Sequence, residues 1–95
     1  MKSKYELALV LSPDLNDQER EESLKLVEKI VKQLGGEVNK REEGGKKMLA
    51  YSINNKNEGW YYFWLLTLPN EAVKQLEVKL NVEEGVLRYL LIAKS

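Results

Sequence analysis

Nine consecutive residues, Trp60 to Leu68, read Trp-Tyr-Tyr-Phe-Trp-Leu-Leu-Thr-Leu. Aromatic and apolar side chains of this kind suit a pleated, half-buried surface far better than a helix or a loop. They occupy both parities of the run, which predicts a central strand with both faces covered. A chain built around such a strand needs partner strands on its edges and a second layer over its face. With 95 residues, of which 43% are hydrophobic and 32% charged, it has the size and balance of one globular domain over residues 1–95.

The segments on either side supply the partners. Tyr5 to Leu11 alternates and reads as a strand, ended by Ser12-Pro13-Asp14 because proline removes a ladder donor. A helix is predicted over Asp17 to Leu34. Asn16 and Glu19 have capping-box spacing, and Leu24, Val27, Ile30, Val31 and Leu34 form one apolar stripe. Gly35-Gly36 stops it, with one glycine suited to the left-handed position after the cap. Two strand segments follow, a charged one over Glu37 to Glu43 and a firmer one over Met48 to Asn54. Glu42-Glu43-Gly44-Gly45 between them reads as a hairpin tip bracketed by Lys40-Arg41 and Lys46-Lys47, and Asn54 to Gly59 as a further turn cluster. After the aromatic strand, Pro69 opens a second helix with a Val73, Leu76, Leu80 stripe, and Val86 to Ala93 closes the chain as a strand. The order β-α-β-β-α-β is the ferredoxin-like arrangement, an α+β fold with two helices on one face of a four-stranded antiparallel sheet.

Alternation then sorts side chains between the two sheet faces. With Leu7, Leu9 and Leu11 against the helices, Ala8 and Val10 lie on the open face. Tyr62, Trp64, Leu66 and Leu68 face inward, and Tyr61, Phe63, Leu65 and Thr67 outward. Leu87, Tyr89 and Leu91 face inward, and Arg88, Leu90 and Ile92 outward. A slip of one residue would exchange the two sets. The open face thus carries an apolar patch with Arg88 at its edge. Two readings stand: the patch is covered by the chain's own long hairpin, or it is an interface. Arg88, mid-strand among apolar residues, needs a carboxylate, a phosphate or a surface position. Glu6 on the neighbouring strand and an RNA phosphate are both open as its partner.

Composition removes several chemistries. There is no cysteine and no histidine, so thiolate and imidazole metal sites, disulfides and His-based acid–base catalysis are excluded. The serines have no histidine base and the carboxylates no dyad or cage spacing, so no enzymatic activity and no cofactor are expected. No apolar run approaches the roughly 20 residues of a membrane span, and Met1 to Glu6 lacks the character of a signal peptide. The expected location is cytoplasmic. Fifteen cations balance fifteen anions. A strong solo nucleic-acid binder is usually basic, so this balance favours weak binding through local patches, or binding alongside a basic partner.

Gly45 to Asn54 reads Gly-x-Lys-x-Leu-Ala-Tyr-x-Ile-Asn. With Tyr5-Glu6, Pro13, Gly59 before Trp60-Tyr61, and Val86-Leu87-Arg88, it resembles the bacterial small-subunit ribosomal protein six family over essentially the whole chain. Met48 and Ser52 depart from the pattern, standing where the family usually has a polar or charged residue and a proline. The resemblance implies a structural role. Its members bind the central domain of small-subunit ribosomal RNA together with ribosomal protein eighteen, a small basic partner. It implies RNA-binding roles for Lys2, Lys4, Tyr5, Lys46, Lys47 and Arg88, and partner-binding roles for Tyr61, Phe63 and Leu90 on the open face. Two other classes share the architecture. An ACT-like small-ligand regulatory domain rests on fold analogy alone, and an acylphosphatase-like enzyme would need a phosphate-cradling loop after the first strand. Glu58 to Phe63 resembles the aromatic strand of RNA-recognition motifs only poorly, because Glu58 replaces the expected cation.

Overall fold

A computed structural model describes residues 1–94. Its elements are β1 (Lys2–Leu11), α1 (Asp17–Gln33), β2 (Glu37–Ile53), β3 (Lys56–Pro69), a 3-10 turn over Asn70–Ala72, α2 (Val73–Asn81) and β4 (Val86–Ala93). The strands form one antiparallel sheet in the order β2-β3-β1-β4. This is the ferredoxin-like arrangement that the sequence predicts.

Register places the apolar set where alternation requires. Leu7 pairs with Trp64 on one side and Leu91 on the other, and Leu9 with Tyr62 and Tyr89. Leu7, Leu9, Leu11, Leu66 and Leu68 are fully buried, together with Val27 and Val31 of α1 and Leu76 of α2. The helices therefore close the face holding the odd-numbered residues of β1. Burial pushes the Tyr62 hydroxyl above its ordinary value of 10.0, and the neighbouring Arg20 guanidinium offsets part of that rise.

Local signals explain where the helices begin and end. Glu19 N–H donates to Asn16 Oδ1 at 2.8 Å, and Asn16 N–H donates to Glu19 Oε1 at 2.9 Å, so the capping box is complete. At the other end Gly35 has φ +88. Its N–H reaches the Lys32 carbonyl at 3.0 Å and Gly36 N–H reaches that of Val31 at 2.9 Å, the two bonds of a Schellman motif. Pro69 ends β3 instead of opening α2. The 3-10 turn intervenes, so the second helix begins later than its sequence suggests.

The hairpin between β2 and β3 departs most from expectation. The two segments read as separate are one 17-residue strand. Glu42-Glu43-Gly44-Gly45 is not a tip: the register skips between Glu43 and Gly45, and Gly45 takes φ +80. This is a bulge, which bends the strand and tightens its twist. The true tip is Asn54-Asn55, with φ 50 and φ 63 between Ile53 and Lys56. Two positive values in succession make the turn that matches hairpin twist. Between Met48 opposite Glu58 and Ile53 opposite Lys56, four β2 residues face one β3 residue, Asn57. The surplus chain, Leu49 to Ser52, arches over the open face of the sheet. It reaches across β3 and β1 as far as β4, where Tyr51 meets Arg88.

Gly59 lies beneath this arch, almost fully buried. A Cβ there would sit 2.3 Å from Val10 Cγ1 and 3.3 Å from the Leu11 carbonyl oxygen. At Gly45 a Cβ would meet open space. Gly59→Ala is therefore expected to destabilise the fold by about 1–3 kcal/mol through overpacking. Gly45→Ala should cost only the left-handed backbone strain, about 1–2 kcal/mol. Chemical denaturation gives the two costs, and hydrogen exchange separates the variants further, because Gly59→Ala should also expose the Val10 amide, whereas Gly45→Ala should not.

Candidate RNA and partner interface

The uncovered sheet face is built by the other parity. One cross-strand row holds Glu42, Phe63, Ala8 and Leu90, and the next holds Lys40, Leu65, Glu6 and Ile92. Phe63, Leu90 and Ile92 are 36%, 50% and 46% exposed, and Tyr61 and Leu65 are half-buried. The Tyr61 and Phe63 rings lie 6.3 Å apart, tilted by 33°. The expectation that β3 is covered on both faces is thus met at the helix side only. The arch seals just the far end, where Val10 is 5% exposed. Ion pairs frame the apolar centre: Lys94 to Glu6 at 3.3 Å and Lys40 to Glu42 at 2.8 Å. The Glu42 hydrogen bond and charge raise the Lys40 pKa above its ordinary value of 10.5.

The expected site residues fall into separate places. Lys2 and Lys4 share the parity of Glu6 and Ala8 and are exposed at the start of β1. Arg88 pairs with Val10 at its other end, about 20 Å away along the strand. Phe63 and Leu90 lie between these ends, and Tyr61 shares the row of Val10 and Arg88.

Three of these residues do not share one open-face patch. Tyr5 belongs to the core: it is 9% exposed, and its hydroxyl donates to Asn70 Oδ1 at 3.0 Å. Its ring packs against the helices, so it offers nothing to the open face. Lys46 and Lys47 are not one patch, because adjacent residues of a continuous strand point to opposite faces. Lys46, opposite Trp60, lies on the helix side, 5.7 Å from that ring and 3.4 Å from Glu58. Arg20 lies 3.7 Å from the same ring centroid, and Trp60 Nε1 is buried without an acceptor among the described residues. Lys47, opposite Gly59, lies on the open side, 5.8 Å from the Tyr61 ring.

Arg88 does not pair with Glu6. Glu6 sits opposite Ile92 and takes Lys94 instead. The Arg88 guanidinium donates to the Tyr51 hydroxyl at 2.7 Å and stands 5.8 Å from that ring. Tyr51 is 61% exposed and was not among the expected site residues. Its only signal in the sequence was its place in the Leu-Ala-Tyr segment.

Comparison with known proteins identifies this surface's owner. A family profile described as Ribosomal protein S6 matches residues 4–93. The chain belongs to the ribosomal protein S6 family. It is 39% identical over 88 residues to small ribosomal subunit protein bS6 of Caldanaerobacter subterraneus subsp. tengcongensis, covering 93% of each chain. It is 40% identical over 88 residues to the bS6 of Acidothermus cellulolyticus, covering 93% of this chain and 92% of that one. The crystal structure of 30S ribosomal protein S6 from Thermotoga maritima superposes with a TM-score of 0.91 at 25% identity, covering 99% of this chain and 89% of that one. A member of this family is a structural ribosomal protein and not an enzyme. Among the described residues no helix is long and apolar enough to cross a membrane.

The absence of a Glu6–Arg88 pair has a measurable consequence. In the free protein, Glu6→Ala and Arg88→Ala should have additive effects on stability, within about 0.5 kcal/mol. A double-mutant cycle by denaturant unfolding checks this, and a clear coupling energy would contradict the geometry.

Proposed function

We infer that the protein is a structural constituent of the small ribosomal subunit that binds the central domain of its RNA jointly with ribosomal protein eighteen, in the cytoplasm. The observation that carries this reading is the open sheet face, with an exposed apolar centre between two cationic ends. Phe63, Leu90 and Ile92 give a protein partner a hydrophobic anchor. Lys2 and Lys4 at one end, and Lys47 and Arg88 at the other, are free to meet phosphates.

Net charge explains why binding is shared. With as many anions as cations, the chain gains little from counterion release by itself. A basic partner seated on the apolar centre supplies the missing charge and lines it up with the two ends. A small-ligand regulatory domain had only fold likeness in its favour, and family membership displaces it.

Co-sedimentation of the tagged protein with small ribosomal subunits tests the reading directly. The face assignment has its own tests. Phe63→Asp should weaken partner capture at least tenfold while lowering stability by less than about 1 kcal/mol, since the ring is already partly in water. Pull-down and thermal melting give the two numbers. In filter binding with the partner present, Lys47→Ala and Arg88→Ala should each flatten the slope of log affinity against log salt by about 0.7–0.9. Lys46→Ala should leave it nearly unchanged, because that side chain points to the other face. An equal loss at Lys46 and Lys47 would place the RNA on the wrong side of β2.

A further inference from the structure

The arch over the open face has a feature that a mere cover does not need. Leu49, half-buried beside Gly59 and Val10, is enough to seal that end of the sheet. Two residues later Tyr51 stands mostly in solvent, yet its place is fixed. Its hydroxyl holds Arg88, and just beyond it the Ser52 hydroxyl bonds Asn57 Oδ1 at 2.6 Å across the hairpin. Arg88 meanwhile has five N–H donors, and no carboxylate pairs with it among the described residues. The same is true of Lys47 beside Tyr61. Tyr61 and Arg88 lie in one cross-strand row with Val10 between them, so their backbones are about 10 Å apart.

We propose that Tyr51, fixed by the arch over Arg88, is a stacking platform for an unpaired RNA base whose flanking phosphates are taken by Arg88 and Lys47. This rests on the RNA-binding reading above and names the part of the RNA that the far end of the face receives. A flat ring beside unneutralised cations fits a nucleotide, which has both a π-face and a phosphate. A carboxylate-bearing peptide would use the cations and leave the ring idle. A duplex keeps its bases stacked inside and cannot reach the ring.

The test uses the full chain and a short single-stranded RNA with a fluorescent purine analogue at its centre, at low ionic strength. The same RNA annealed to its complement and an acidic peptide serve as competitors. The analogue should be quenched on binding, and the single strand should compete better than the duplex or the peptide. Tyr51→Phe keeps the ring and loses only the hydroxyl, so binding and quenching should persist. Tyr51→Leu should lose the quenching and weaken binding about tenfold, as expected for one stacked base, with an unchanged melting temperature. Arg88→Gln should flatten the salt dependence while quenching remains. Wild-type affinity in Tyr51→Leu, or better competition by duplex or peptide, overturns the platform. If the chain ignores the single strand while its complex with ribosomal protein eighteen takes central-domain RNA normally, the platform fails and the wider reading survives. If that complex also fails to bind, both are overturned.

Discussion

The row formed by Trp64, Leu7 and Leu91 fixes everything that follows. These residues face one another across β3, β1 and β4, and Trp64 and Leu7 are essentially inaccessible. Moving β1 by one residue would turn Leu7, Leu9 and Leu11 outward and carry Glu6, Ala8 and Val10 under the helices. Each leucine contributes roughly 1.5–3 kcal/mol through burial, and an unpaired Glu6 carboxylate beneath the helices would add a large desolvation cost. Against a typical net stability of about 5–15 kcal/mol, no slipped register can compete. Which side chains stand on the open face is thus a by-product of which leucines are buried.

The open face then works by division of labour. Its middle rows are apolar and tied at their margins by Lys94 with Glu6 and Lys40 with Glu42. These pairs are exposed and contribute little to stability. Their effect is to neutralise the charges that border the exposed apolar centre at Phe63 and Leu90. Among the described residues, the cations of this face without a carboxylate partner stand at its two ends, Lys2 and Lys4 at one and Lys47 and Arg88 at the arch. Charge is therefore cancelled beside the apolar centre and left uncancelled at the two ends of the face.

Much of the fold could be read from the sequence because the relevant signals are local. Asn16 with Glu19 and the Gly35 stop each involve residues within one turn of a helix, and both geometries formed. The hairpin was not legible in the same way. Gly44-Gly45 and Asn54-Asn55 both tolerate positive φ, so each is a chemically valid turn. Only pairing with β3 over its full length decides that the first is a bulge and the second the tip. That decision propagates: once β2 is continuous, Lys46 and Lys47 must separate to opposite faces. The place of Tyr5 was legible in principle, since it shares the parity of Leu7 and Leu9. Its side chain accordingly lies in the core and not on the open face.

Arg88 shows what lay beyond local reading. Glu6, the carboxylate on the adjacent strand, is four residues off in register from Arg88, although neighbouring strands are where strand charges usually pair. The actual contact spans 37 residues in sequence and the width of the sheet. It exists only because surplus residues in β2 have nowhere to pair and fold over the face. That crossing is possible because Gly59 leaves the space a side chain would fill between the arch and Val10. A glycine that reads in sequence as the end of a turn cluster is thus the condition for bringing Tyr51 to Arg88. The chemistry of the arch end follows from a missing methyl group as much as from the charges themselves.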